Sequence, residues 1–460
     1  MHEGITQQSV LFKELFDRPL IAKFDQRDSS SDGGAILLAA ADRRLGLSER
    51  LAACIKDRRQ PGKIEHTVHE LLSQRLYAIA CGYPDCNDAA RLSGDPVHRL
   101  LSRGETSAEA MLASQPTLSR FENAVERASL YQMGLALAER VLERHRKRLG
   151  RRKVKHVRID LDPTDDSTHG AQQLSFFNSH YDSWCYLPMV GFLTFNGEPD
   201  QYLFCAVLRP GNATAKLGAI GILDRIISQV REHCPKARIL VRLDGGFAEP
   251  KLLKFLEDSN VDYLIGIAKN KVLVRRARRL MGRARKLSRI RKDTANVFGE
   301  TRYAAGTWKK IKRRVLIKAE VVRTEGKSPK DNPRFVVTNL KQSPRHLYKR
   351  VYCGRGDIEN RIKELHHGLE IDRTSCSDFF ANQLRVLITA AAYILMQEVR
   401  LAAQGTSCER AQVSTLRDRL IKLGAWIETS VRRIVVHLPK GALHRCEWQR
   451  IARSLGAVPA

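Results

Sequence analysis

The sequence predicts an α/β protein built on a mixed sheet and preceded by a mainly helical region. Three observations carry this. Up to about residue 150 the chain is cut only by short turn signals into helix-length pieces. From Lys155 onward apolar residues alternate with polar ones at period two, the mark of half-buried strands. Those strands then come in the order β-β-β-α-β-α-β, three joined as hairpins and the rest alternating with helices, so the first and fourth are expected side by side.

Taken in order, residues 1–150 break at "QPGK", "CGYPD", "SGDP" and "SQPT". Ser119 and Glu122 have capping-box spacing before the long run that ends in "LERHRKRLGRRK", a basic stretch that marks the first boundary. Next come the strands "KHVRIDLDPT", "YLPMVGFLTF" and "QYLFCAVLRP", the amphipathic helix "AKLGAIGILDRIISQVREH", the strand "ARILVRLDGGF", the helix "EPKLLKFLEDSN" and the strand "VDYLIGIAKN". Residues 270–340 read as a strand-rich insertion in an α/β domain spanning 151–400. It opens with the basic helix "KVLVRRARRLMGRARKL" and continues with "RRVLIKAEVVR" and "RFVVTNL". Helical grammar returns from Leu347 to about Arg400. Within it Val386–Met396 is an apolar run of 11 residues, shorter than the roughly 20 that span a bilayer, and reads as a buried helix. Residues 401–460 form a basic C-terminal region with one strand, "RRIVVHLP".

Lys and Arg number 79 against 50 Asp and Glu, a formal net charge of +29 spread along the whole chain. A folded surface of that sign seeks a polyanion, nucleic acid before membrane. The N-terminus has no basic stretch followed by an apolar run and a small-residue cleavage site, so no secretory signal is read and a cytoplasmic, nucleoid-associated protein is expected. The ten cysteines include no CxxC pair and are expected reduced. His66, His69, Cys81 and Cys86 offer zinc-type side chains, but the cysteine gap is off pattern and flanks a helix end.

Two stretches carry candidate chemistry. In the first strand Asp160 and Asp162 point to one face while Val157, Ile159 and Leu161 point to the other, and Asp244 ends the fourth strand before Gly245-Gly246. Acids converging at the carboxyl ends of neighbouring strands suit a hard divalent cation; as isolated turn formers they would mean nothing more. Asp165 and Asp166, in the polar stretch that follows, read as solvated. In "VYCGRGDIENRIKELHHGLEID", Tyr352, Arg355, Glu359 and either Lys363 or His366 fall on one helix face, with Ile358, Ile362, Leu365 and Leu369 on another. The plain alternative is a surface helix with an Arg355–Glu359 pair. Gly354 and Gly356 allow the helix to begin only at Asp357, as its cap. Arg275, Arg276, Arg278, Arg279, Arg283 and Arg285 make the insertion helix a candidate polyanion-binding rail or a solvated face. Trp184 and Trp308 read first as buried aromatics, with stacking on an extruded base the alternative.

Asp, Asp and Glu in that order, on strand-then-helix elements with a strand-rich insertion before the last, resemble the ribonuclease-H-like core of DDE transposases. The closer likeness is to insertion-sequence transposases whose last helix carries a Tyr-Arg-Glu-Lys signature. It rests on "IDLDPTDDSTHGAQQLSFFNSHYDSWCYLPMVGF", "LRPGNATAKLGA", "VRLDGGFAEPKLLKFLEDSNVDYLIGIAKN" and "YCGRGDIENRIKELHHGLEID", and covers most of the chain. By position it implies catalytic, metal-holding acids at Asp162, with Asp160 as rival, Asp244 and Glu359. It implies DNA contacts from Tyr352 and Arg355. The signature lysine departs: seven beyond Glu359 stands His366, with Lys363 one turn earlier. The resemblance further implies two Mg²⁺ or Mn²⁺ ions roughly 3.5–4 Å apart, and double-stranded DNA partners (terminal inverted repeats and target). A homodimer on DNA and a DNA-binding or dimerising role for residues 1–150 follow too. An inactive DNA-binding protein of the same fold and a stand-alone nuclease are the alternatives.

Overall fold

The computed structural model describes residues 10–12, 17–18, 20–23, 25–107, 110–150, 154–308 and 311–459. The start of the N-terminal segment, Met1–Ser9, and the Arg151–Lys153 end of the basic boundary stretch lie outside the described residues. The N-terminal region carries α1 (Ile36–Leu45), α2 (Val68–Cys81), α3 (Pro96–Arg103), α4 (Gln115–Ala124) and α5 (Arg127–Leu149). A capping box opens α2: Thr67 Oγ1 accepts from Glu70 N at 3.1 Å, and Glu70 Oε2 accepts from Thr67 N at 2.6 Å. The box predicted at Ser119–Glu122 does not form. Both residues lie inside α4, whose first turn is set by Pro116, and Glu122 instead takes a 2.8 Å bond from the buried Arg75 guanidinium.

The central elements follow the predicted order: β1 (His156–Pro163), β2 (Met189–Phe195), β3 (Tyr202–Val207), α6 (Ala219–His233), β4 (Arg238–Leu243), α7 (Pro250–Asp258) and β5 (Asp262–Ile267). β4 lies parallel to β1, with Arg242 opposite Asp160, and β5 lies parallel to β4. After α8 (Lys271–Arg291) come β6 (Ala295–Tyr303), β7 (Arg313–Val322) and β8 (Arg334–Thr338). These strands extend the same sheet: β8 pairs antiparallel with β5, and the order across the sheet is β6-β7-β8-β5-β4-β1-β2-β3. With the short Lys330–Asp331 strand on β7 the sheet has nine strands, a mixed ribonuclease-H-like fold. A small three-stranded sheet, Asp166–Ser167, Phe176–Asn178 and Ser183–Tyr186, sits between β1 and β2.

The chain then turns helical, with changing pitch. A single α-turn at Pro344–His346 widens to a π-helix over Leu347–Tyr352, tightens to 3-10 over Cys353–Gly356, and becomes α9 at Asp357–Leu369. α10 (Phe379–Ala402) runs through the middle of the molecule. Its 24 residues are apolar and long enough to cross a membrane by composition alone, yet 89% of its most apolar window is enclosed by protein. It packs against α1, α2, α4, α5 and β3, so one apolar core joins the N-terminal helices to the sheet. Two of its glutamines close the free edge of β3. Gln383 accepts from Leu208 N and donates to Ala206 O; Gln397 accepts from Leu203 N and donates to Gln201 O, at 2.7–3.2 Å. An edge strand's unpaired backbone is thereby satisfied by side chains. At the C-terminus, Ala425–Thr429 pairs with both Ile434–His437 and Ser29–Ser30, and α11 (Arg445–Ser454) follows.

Candidate active site

Alternation along β1 sends Val157, Ile159 and Leu161 into the core and Arg158, Asp160 and Asp162 to the opposite face. Parallel pairing with β4 puts the ends of both strands on the same side, where Asp162 and Asp244 stand. The two acids of β1 have different surroundings. Asp160 is fully buried and held by Arg242, whose Nε and Nη2 donate to its two oxygens at 2.8 and 2.6 Å; Arg242 Nη1 also donates to Val351 O at 2.7 Å. Both oxygens of Asp160 are thus already engaged by a buried guanidinium. Asp162 lies one step closer to the strand end and remains partly open, with the Arg355 guanidinium 3.3–3.4 Å away.

Burial pushes the Asp162 carboxyl up to about 6; Arg355 opposes this, while Asp244, Glu359 and Asp160 add to it. Asp244 and Glu359 are thus near enough for their negative charge to act on Asp162. Asp244 caps the tight turn Gly245–Phe247, accepting from Gly246 N at 2.9 Å. Glycines permit close approach here. A Cβ on Gly246 would stand 2.8 Å from that of Ala215, and one on Gly266 would stand 2.7 Å from Tyr352 Oη and 2.9 Å from Gly245 N. Tyr352 therefore reaches across the end of β5 to the neighbourhood of Asp244. Burial raises its hydroxyl pKa, with Arg355 opposing and Asp244 adding.

Glu359 is exposed in the first turn of α9 and forms no ion pair among the described residues. The Arg355–Glu359 surface pair is absent because Arg355 turns to Asp162. Asp357 begins α9 as expected but does not cap it; Gly356 occupies the cap position without a side-chain bond. His366 is anchored, with Nε2 2.9 Å from Thr164 Oγ1 and Nδ1 3.2 Å from Asp372 Oδ2. Lys363 is exposed and unpaired among the described residues. The model of the family described as Transposase DDE domain group 1 matches residues 12–460. The chain is a DDE transposase. No curated protein matches it.

Other predicted residues of the transposase are scattered. Asp166 is not solvated but 1% exposed: the Asp166–Ser167 strand draws it inward, where Thr374 Oγ1 donates to it at 2.9 and 3.0 Å. Burial holds its carboxyl well above the usual range, with Asp372 and Asp165 adding. The zinc-type residues do not meet. His66 Nδ1 faces Arg103, His69 bonds Ser48 and Ser73, and Cys86 lies beside Arg75 and Glu122. Cys81 instead gathers with Asp32 and His98, a buried cluster in which Lys422 Nζ, 2.7 Å from Asp32, already supplies the positive charge. On α8, Arg275, Arg278, Arg279 and Arg283 are exposed and unpaired among the described residues. Arg276 bonds Thr301 and Arg302 O beside the Tyr303 ring, and Arg285 pairs with Asp331. Trp308 is buried, but Trp184 is 60% exposed, edge-to-face with Phe177 on the small sheet.

Arg209 was missed by sequence reasoning. It is buried and donates to the carbonyls of Leu187, Thr214, Ala215 and Leu217 at 2.8–3.2 Å, its pKa brought down to about 10 by burial. It fastens the loop whose Ala215 abuts Gly246, beside Asp244. The available signal was an Arg directly after an apolar strand and before Pro-Gly.

Proposed function

We propose that the transposase cleaves the ends of its element and joins them to target DNA by in-line phosphoryl transfer at Asp162, Asp244 and Glu359. What supports this reading is that Asp162 and Asp244 stand at the ends of adjacent parallel strands, that Arg355, one turn before Glu359, reaches Asp162, and that neighbouring Asp160 is paired with Arg242. Their donors are carboxylate oxygens, and Asp244 and Glu359 form no ion pair with a protein cation among the described residues, which suits Mg²⁺ or Mn²⁺, two per site. Bound there, such ions supply Lewis-acid charge at the phosphorus and make water or a 3′-hydroxyl a better nucleophile. The chain's own groups then position the DNA. Arg355 exchanges Asp162 for the reacting phosphate, which its forked donors grip through two oxygens. Lys363 adds a second charge, His366 holds the Thr164 loop, and Tyr352 donates to a neighbouring phosphate. Exposed Trp184 offers a ring face to an unpaired base. Terminal repeats and target DNA are the partners, residues 1–150 contribute end recognition, and two copies bring two ends together.

The test is cleavage and joining of DNA carrying the terminal repeats with Mg²⁺, comparing wild type with Asp244→Asn. Joined product that disappears in the variant, and on chelation by EDTA, is expected. Cut product without joining would favour a stand-alone nuclease, and no product with intact DNA binding an inactive binder. Undiminished joining by Asp244→Asn would overturn the proposal.

A further inference from the structure

The Pro344–Gly356 segment crosses one face of the sheet on its way to the acids. Leu347 and Tyr348 join Leu264, Leu316, Val336 and Leu340 in a small apolar core beneath it, and Arg242 and Arg355 fasten its far end. Its other flank is unlike this. Between that flank and strands β6 and β7 lies an open cavity of about 660 Å³, walled by Lys318, Arg345, His346, Lys349 and Arg350. Among the described residues Arg345, Lys349 and Arg350 have no carboxylate partner, and only Lys318 is paired, with Glu320. Aromatic rings line the floor: Lys349 Nζ is 5.6 Å from the Phe298 centroid and Lys318 Nζ 5.8 Å from that of Tyr348. Unneutralised cations gathered around a concave surface concentrate positive potential there.

We propose that this groove holds backbone phosphates of the DNA strand a few nucleotides from the reacting one; the proposal rests on the transposase reading above. Lys349 precedes Arg355 by six residues, on the order of 9 Å along a segment whose pitch changes from π to 3-10. Phosphates advance about 3.4 Å per nucleotide along a duplex axis, so the two side chains serve phosphates about two or three nucleotides apart on one strand. The basic helix α8 does not share this track. On β6, Gly299 faces α8, where its Cβ would meet Leu280 at 2.6 Å, whereas the adjacent Phe298 packs with Tyr348. Successive strand residues face opposite ways, so α8 and the groove lie on opposite faces of the sheet.

The chain carries its own reporters. Cys353 is exposed and lines the groove; Cys446 is exposed on α11, which packs against α1 and α10. The full-length transposase is alkylated with iodoacetamide in metal-free, low-salt buffer, with and without a mixed-sequence DNA duplex, and the two cysteines are followed by mass spectrometry. Saturating DNA is expected to slow alkylation of Cys353 about tenfold or more and leave Cys446 unchanged. In the Arg345→Glu/Lys349→Glu variant, protection is lost and the slope of log affinity against log salt becomes shallower by about 0.9 per lost phosphate contact. DNA that binds, by fluorescence anisotropy, while Cys353 reacts at its free rate overturns the groove alone. Protection that persists while DNA carrying the terminal repeats is neither cut nor joined on adding Mg²⁺ removes the catalytic reading and leaves the groove standing. A chain that binds no DNA at low salt overturns both.

Discussion

Replacing Asp160 with alanine leaves the Arg242 guanidinium buried without its anion, and urea denaturation is expected to record a loss of about 3–5 kcal/mol. Asp162→Asn is expected to go the other way, raising metal-free stability, since the folded site disfavours the charged carboxyl; equal effects would mean that the two acids share one environment. Gly266→Ala forces a methyl against Tyr352 Oη and the Gly245 backbone. A cost of about 1–3 kcal/mol is expected, with DNA cleavage falling further than DNA binding. Asp166 supplies a pH test. Its folded pKa lies above the unfolded value of about 3.9, so its contribution to stability is fully present below that pH and is lost as pH rises through the folded value. Asp166→Asn should therefore melt higher than wild type at neutral pH and alike at about pH 3.5. Residue types and period-two alternation marked Asp160, Asp162 and Asp244 as candidates at strand ends, and the resemblance favoured Asp162 over Asp160. They gave no sign that Asp160 and Asp162 have different surroundings, because Arg242, which pairs with Asp160, comes from a strand 82 residues away. The burial of Asp166 was equally hidden, since a two-residue strand leaves no pattern.

At the scale of elements, helical spacing over the signature segment, with Gly354 and Gly356 allowing a start only at Asp357, matches the α-helical part, and its apolar side was legible: Ile358, Leu365 and Leu369 are buried and Ile362 partly so. Tyr352 and Arg355 lie instead in the π and 3-10 portions, so their approach to the acids comes from changes of pitch that simple spacing does not encode. β6 escaped notice because "ANVFGETRY" breaks alternation with polar residues and with Gly299, whose missing side chain makes room for Leu280. α9 is tied to α10 by Glu364, which accepts from Tyr393 Oη at 2.5 Å and from Arg400 Nη1 at 2.9 Å, both buried. Arg400→Met is expected to cost about 3 kcal/mol or more in chemical denaturation, and Glu364→Leu/Arg400→Met to recover most of it. No recovery in the double variant would mean that the arginine acts chiefly through its bond to Ala411 O.

For the whole molecule, alternating grammar was enough to read the sheet and its crossover, because each strand and helix announces its own period. The change from helices to strands near residue 150 was legible, but the sharing of one core across it was not: α10 lies more than 200 residues beyond that point and packs on both sides. A fragment comprising residues 154–400 is therefore expected to show no cooperative thermal transition by circular dichroism, whereas the full chain melts as one unit. Two separate transitions in the full chain would contradict this. The late position of α10 also bears on biosynthesis. The N-terminal helices leave the ribosome long before the apolar rod that covers them, so they wait with sticky sides uncovered. A message cut short before Phe379 should yield an aggregation-prone product dependent on chaperones, and a frameshifted copy of this gene would burden its host as well as being inert.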